Sequence, residues 1–182
     1  DLFAGALAKV QEADKVEMKT PYEEYMVSRS LGFIAINKMP QDIAAATAAY
    51  NRQVASGGAP DAEKPNMYAI ALRLNFQAMD YPKSIAAAAE LKKIRPLDQT
   101  EYQVLTTAYF SSNDFPNAAA AAKESIQANG GKGNADILGL LLNAQANMKD
   151  DAGYKVTLDQ LDRKSTRLNS SHVSESRMPS SA

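Results

Sequence analysis

Residues 79–94, "MDYPKSIAAAAELKKI", and residues 113–128, "NDFPNAAAAAKESIQA", align without a gap at an offset of 34 residues. Asp80 falls on Asp114, Tyr81 on Phe115, Pro82 on Pro116 and Ser84 on Ala118. A fixed period of this length, built from helical segments, obliges a chain to bury its apolar faces by stacking one helix pair on the next. In each copy the Pro falls in the first turn of a helix, where a missing N–H costs nothing, and the Asp before it is placed to cap that turn.

The same alternation extends along most of the chain. Stretches such as "YMVSRSLGFIAIN", "MYAIALRLNFQAM", "YQVLTTAYF" and "DILGLLLNAQANM" carry apolar residues at three- and four-residue steps, without the alternation of a strand. Between them lie alanine-filled segments, "DIAAATAAYNRQVA", "YPKSIAAAAELKKI" and "FPNAAAAAKESIQA". Alanine is the best helix former, and its small side chain lets a neighbouring helix approach closely. Turn signals separate the two kinds: "NKMPQD", "SGGAP", "IRPLD", "SSND", "NGGKGN" and "MKDD". The reading is all-α, an α-solenoid of about four antiparallel helix pairs over residues 1–161, joined by short connections. With 45% hydrophobic residues the chain has enough apolar surface for a real core.

These residues resemble the tetratricopeptide repeat family, whose first helix carries an aromatic residue, Leu-Gly and Tyr, and whose second carries Ala, an aromatic and a closing Pro. The copy from Pro65 supplies Tyr68, Ser84 and Pro96, and the copy from Gln99 supplies Tyr102, Leu105, Tyr109 and Ala118. An earlier copy offers Leu31-Gly32 and Ala46 with Tyr50; partial copies offer Phe3, Ala6 and Val10 at one end and Leu141, Tyr154 and Leu158 at the other. Ala88 and Ala122 replace the second-helix aromatic, and Leu72 and Thr106 replace the Gly. The resemblance implies a groove lined by the first helix of each pair that binds a protein or peptide partner. Carried over position by position, its lining is Asn66, Arg73 and Gln77 from one copy and Gln103, Thr107 and Ser111 from the next. It implies no cofactor, and it further suggests bacterial repeat proteins of the kind exported to the cell envelope.

The chemistry of the remaining residues points away from catalysis. There is no cysteine, and the single histidine is His172, so thiol nucleophiles and the usual zinc sites have no ligands over residues 1–161. "GGKG" at 130–133 lacks the Lys-Ser/Thr ending of a phosphate loop and reads as a helix C-cap and turn. Glu23-Glu24 and Asp150-Asp151 are adjacent, so on a helix they point about 100° apart and read as first-turn acids, not a facing acid-base pair. Tyr22, Tyr25, Tyr68, Tyr102 and Tyr109 read as packing residues rather than as a base-stacking surface. No run of eighteen apolar residues suits a membrane span. The expectation is a non-enzymatic scaffold binding a peptide or partner helix. Two other classes fit the same residues: the accessory arm of an enzyme whose catalytic domain lies elsewhere, and a self-associating structural spacer.

From Asp162 the composition turns abruptly to Ser, Arg and Asn. Asp162 to His172 and Ser176 to Ala182 resemble the translation of successive parts of a short-read sequencing adapter, with Val173 to Glu175 spanning its variable index. On that reading residues 162–182 are a non-native tail, the alternative being a genuine disordered, Ser-rich one, and 1–161 is a repeat array truncated at both ends. Without the tail the chain carries 16 basic against 19 acidic side chains, a net of −3, with no basic footprint for nucleic acid or anionic lipid.

Overall fold

In a computed structural model of the chain, the described residues are 2–175, with side chains described over 3–163; they form nine helices and no strand. In order these are α1 (Leu2–Asp14), α2 (Pro21–Asn37), α3 (Ile43–Ser56), α4 (Lys64–Gln77), α5 (Tyr81–Ile94), α6 (Gln99–Ser111), α7 (Phe115–Ala128), α8 (Ala135–Met148) and α9 (Asp151–Glu175). The architecture is all-α, compatible with a helical repeat. The helices fall into two compact units, Asp1–Ala108 and Tyr109–Ala182, divided within α6.

Local chemistry sets the helix starts. Asp42, Asp80 and Asp114 each accept from the backbone N–H three residues on, at 3.0, 3.2 and 3.3 Å. Thr20 and Glu23 form a reciprocal capping box at the head of α2. The predicted first-turn roles of the paired acids take specific forms: Glu23 is a member of that box, and Asp150 accepts from the Gly153 N–H at 2.9 Å to start α9. Gly130 and Gly131 take φ of 64° and 79° at the end of α7, the conformation expected of a C-cap turn.

The first unit packs α2 on α3, α3 on α4 and α4 on α5 in succession. Its core gathers Tyr25, Ala59 and Met67 in one cluster and Ala35, Ala46 and Leu74 in another, with Tyr50 packed against both. The small positions do what the repeat requires. Ala46, Ser84 and Ala118 are completely buried. Ser84 lies so close to α4 that its hydroxyl donates to the Leu72 carbonyl at 2.9 Å. A Cβ on Gly32 would sit 3.0 Å from the ring of Tyr50, so the α2–α3 crossing uses the missing side chain. In the second unit Ala118, Ala119 and Ala122 of α7 meet Ile137, Leu141 and Ala144 of α8, with Phe110 edge-on to Phe115 at 5.3 Å between ring centres.

The terminal copies depart from the predicted register. Ala6 is exposed, as is Tyr154, and among the described side chains of α9 the buried one is Thr157. The backbone of α9 runs from Asp151 to Glu175, while residues 176–182 of the expected tail lie outside the described residues. No Gly or Pro occurs between Tyr154 and Met178. Once its first turn is capped, a helix gains one hydrogen bond for each further residue it fixes, so Ser and Asn alone do not end it.

Candidate functional site

The predicted groove residues lie on α4 and α6. Asn66, Arg73 and Gln77 recur at seven- and four-residue steps along α4 and are exposed, on the side away from buried Met67, Ala71 and Leu74. Gln103 and Thr107 are half-buried one turn apart on α6, and the Thr107 hydroxyl donates to the Gln103 carbonyl at 2.8 Å. Ser111, which belongs to the second unit, is exposed at the end of α6.

Arg73 differs from the other arginines of its unit. Arg29 meets Glu63 at 2.9 Å, Arg52 holds Asp14 and Glu24, and Arg95 makes a two-pronged pair with Glu101 at 2.6 and 2.8 Å. Arg73 forms no ion pair with any described residue; its Nε donates to the Ala69 carbonyl of its own helix at 3.2 Å. Its charge nevertheless reaches Glu101. Burial pushes the Glu101 carboxyl up, but hydrogen bonds from Arg95 and the Asp98 N–H, with the charges of Arg95 and Arg73, outweigh it and hold Glu101 below the ordinary carboxylate range. Glu101 is therefore a buried anion that anchors the start of α6, with Asp98 and Glu101 capping each other's N–H.

A second feature was not legible in the sequence. Asn66 also lines a cleft of about 610 Å³, with Phe3, Ala6 and Val10 from α1, Phe33 and Ile34 from α2, and Tyr50 from α3. Arg29 and Ser30 supply its other polar groups. Phe33 is 60% exposed, and Tyr22 and Met26 on the same helix are exposed too. Spaced 22, 26, 29 and 33, these side chains and Arg29 make one open stripe along α2. A signal for Arg29 does exist: it follows Pro21 by eight residues, as Arg73 follows Pro65.

Behind the stripe, the buried Tyr25 hydroxyl donates to Glu63 at 2.6 Å, and burial together with that carboxylate raises its pKa well above the usual phenol range. Tyr25 is thus a fixed neutral donor that positions Glu63 for Arg29. Among the described residues no cluster of three or more His, Cys, Asp or Glu side chains is placed to hold a metal, and no helix is long and apolar enough to cross a membrane. The exposed groups on these faces are guanidinium forks, amides, aromatic rings and a thioether. No family model, curated protein or solved structure matches the chain.

Proposed function

We propose that this chain is a non-catalytic binding module of the tetratricopeptide type, holding a peptide or partner helix against the exposed faces of α4 and α6. One observation carries the reading. Arg73 presents a guanidinium without a carboxylate partner among the described residues, flanked on α4 by exposed Asn66 and Gln77, in a unit where every other arginine is paired. A planar fork of this kind holds carboxylates or backbone carbonyls, and truncating a well-packed interface arginine commonly costs more than about 1 kcal/mol of affinity.

The test is to select peptides from a random displayed library against the purified chain. They are then titrated against wild type and the Arg73→Ala/Gln103→Ala double variant. Binding should weaken at least about tenfold in the double variant while its helical circular dichroism stays that of the wild type. Equal affinity for both proteins would place the contact elsewhere, and a library that yields no binder would refute the reading.

A further inference from the structure

The cleft beneath α1 differs in chemistry from the α4–α6 face and shares with it only Asn66. Its volume of about 610 Å³ lies within the range of roughly 300–1,000 Å³ in which pockets enclose small molecules. Four helices contribute to its wall, which makes it a recess suited to a compact body. The lining is mostly apolar. Ile34 is nearly buried, Phe3 and Val10 are half-buried, and Phe33 stands largely in water although it borders an apolar recess. An apolar ligand would cover that ring and remove its surface from solvent.

The polar groups decide the sign of the ligand. Arg29 engages Glu63 through Nε, and its two terminal nitrogens have no partner among the described residues. The Asn66 amide likewise makes no hydrogen bond among them, so it can donate. Ser30 spends its proton on the Met26 carbonyl at 3.0 Å. The positive field of Arg29 extends to the Tyr50 phenol. No carboxylate lines the cleft. Free donors and a cationic fork, with no lining acid, favour an anion over a cation, and a planar carboxylate matches the paired N–H groups of a guanidinium.

We infer that the recess framed by Phe3, Val10, Phe33 and Tyr50 binds a small amphiphilic carboxylate, its apolar body against these side chains and its head group on Arg29 and Asn66. Phe3 and Val10 come from α1, so the ligand also bridges α1 to α2 and α4.

The chain contains no tryptophan, so Phe3→Trp installs a single fluorescent reporter in the wall. Dodecanoate, dodecanol and dodecyltrimethylammonium are titrated below their micellar concentrations. Dodecanoate is expected to give a saturable emission change, and the other two are expected to give none. Arg29→Gln in the reporter background should weaken dodecanoate at least about tenfold. That variant also removes the ion-pair partner of Glu63, so Ala6→Trp, which fills the recess from an exposed position on α1 and leaves Arg29 intact, is read separately by calorimetry and should abolish the heat of dodecanoate binding. No saturable binding, equal binding of all three amphiphiles, or undiminished binding in a folded Arg29→Gln or Ala6→Trp protein would each overturn the inference. Neither variant touches Arg73 or Gln103, so failure here leaves the peptide reading to stand or fall on its own test.

Discussion

Met79, Asn113 and Lys149 take the same left-handed backbone conformation, with φ of 59°, 59° and 58°. At each turn the next residue, Asp80, Asp114 or Asp150, donates its N–H five residues back, to the carbonyls of Asn75, Tyr109 and Gln145 at 2.8, 2.9 and 2.9 Å. This closure satisfies the end of one helix and delivers the Asp that caps the next. Asn tolerates the left-handed region; Met does not, and pays a steric cost there. Met79→Gly should therefore raise stability by about 0.5–1 kcal/mol in a thermal or urea melt, after the added chain entropy of glycine is set against the relieved strain, whereas Asn113→Gly should be nearly neutral. A destabilised Met79→Gly protein would show that the exposed Met side chain contributes packing here. Ala118, fully buried between α7 and α8, should respond in the opposite sense: Ala118→Leu is expected to overpack the crossing and cost about 1–3 kcal/mol in the same assay. At this scale the caps and small positions were legible, because Asp chemistry and alanine size act within one turn of sequence. The left-handed Met79 was not, because the turn's hydrogen bonds impose that conformation against the residue's own preference.

Among the elements, α1 is held differently from the rest. It has no fully buried side chain among its described residues, and its half-buried apolar ones are Phe3, Leu7 and Val10. Its end is fixed by charge: Arg52 of α3 grips Asp14 with two hydrogen bonds of 2.6 and 3.1 Å and Glu24 of α2 with a third of 2.8 Å. Lys19 adds hydrogen bonds to the Asp14 and Val16 carbonyls, both at 2.7 Å. The Arg52, Asp14 and Glu24 side chains are 37%, 32% and 26% exposed, so the cluster contributes on the order of 1 kcal/mol and not more. Arg52→Met should accordingly speed hydrogen exchange in α1 several-fold while leaving α4 and α5 protected. The pH dependence follows from Asp14, whose carboxyl is held below its usual 3.8 first by the hydrogen bond from Arg52. A lowered folded-state pKa means the contribution is complete above the ordinary value and disappears as pH falls through the lowered one. Protection of α1 should thus be constant through neutral pH and fall only in acid, below about 3.8; a loss near pH 6 would exclude Asp14 as its cause. The sequence showed α1 as a helix. It did not show that Arg52 would meet Asp14, 38 residues away, since such a pairing exists only after α1, α2 and α3 have docked.

For the whole chain, the fold class was legible because helical period, alanine blocks and turn residues agree with one another over its length. The 34-residue offset fixed Asp80 against Asp114, and the structure repeats the same turn there. The cleft was hidden because its walls span residues 3 to 66, and because Arg29 and Arg73 stand 44 residues apart instead of 34. The extra length lies partly in α2, which runs 17 residues where α4 runs 14, so a search at the shorter period passes over the equivalence. The segment from Asp162 poses the remaining question at this scale. Thr157 is buried and Leu161 half-buried, whereas Asp162 and Arg163 are exposed. Ending the chain after Leu161 should therefore leave the melting temperature within about 2 °C of the intact protein, given that 1 kcal/mol shifts a chain of this size by roughly 2–4 °C. A larger fall would assign residues 162–182 a share in stability and would contradict their reading as an appendage. An unchanged melt, with peptide and dodecanoate binding intact, would place everything that holds the fold and makes its two sites within residues 1–161.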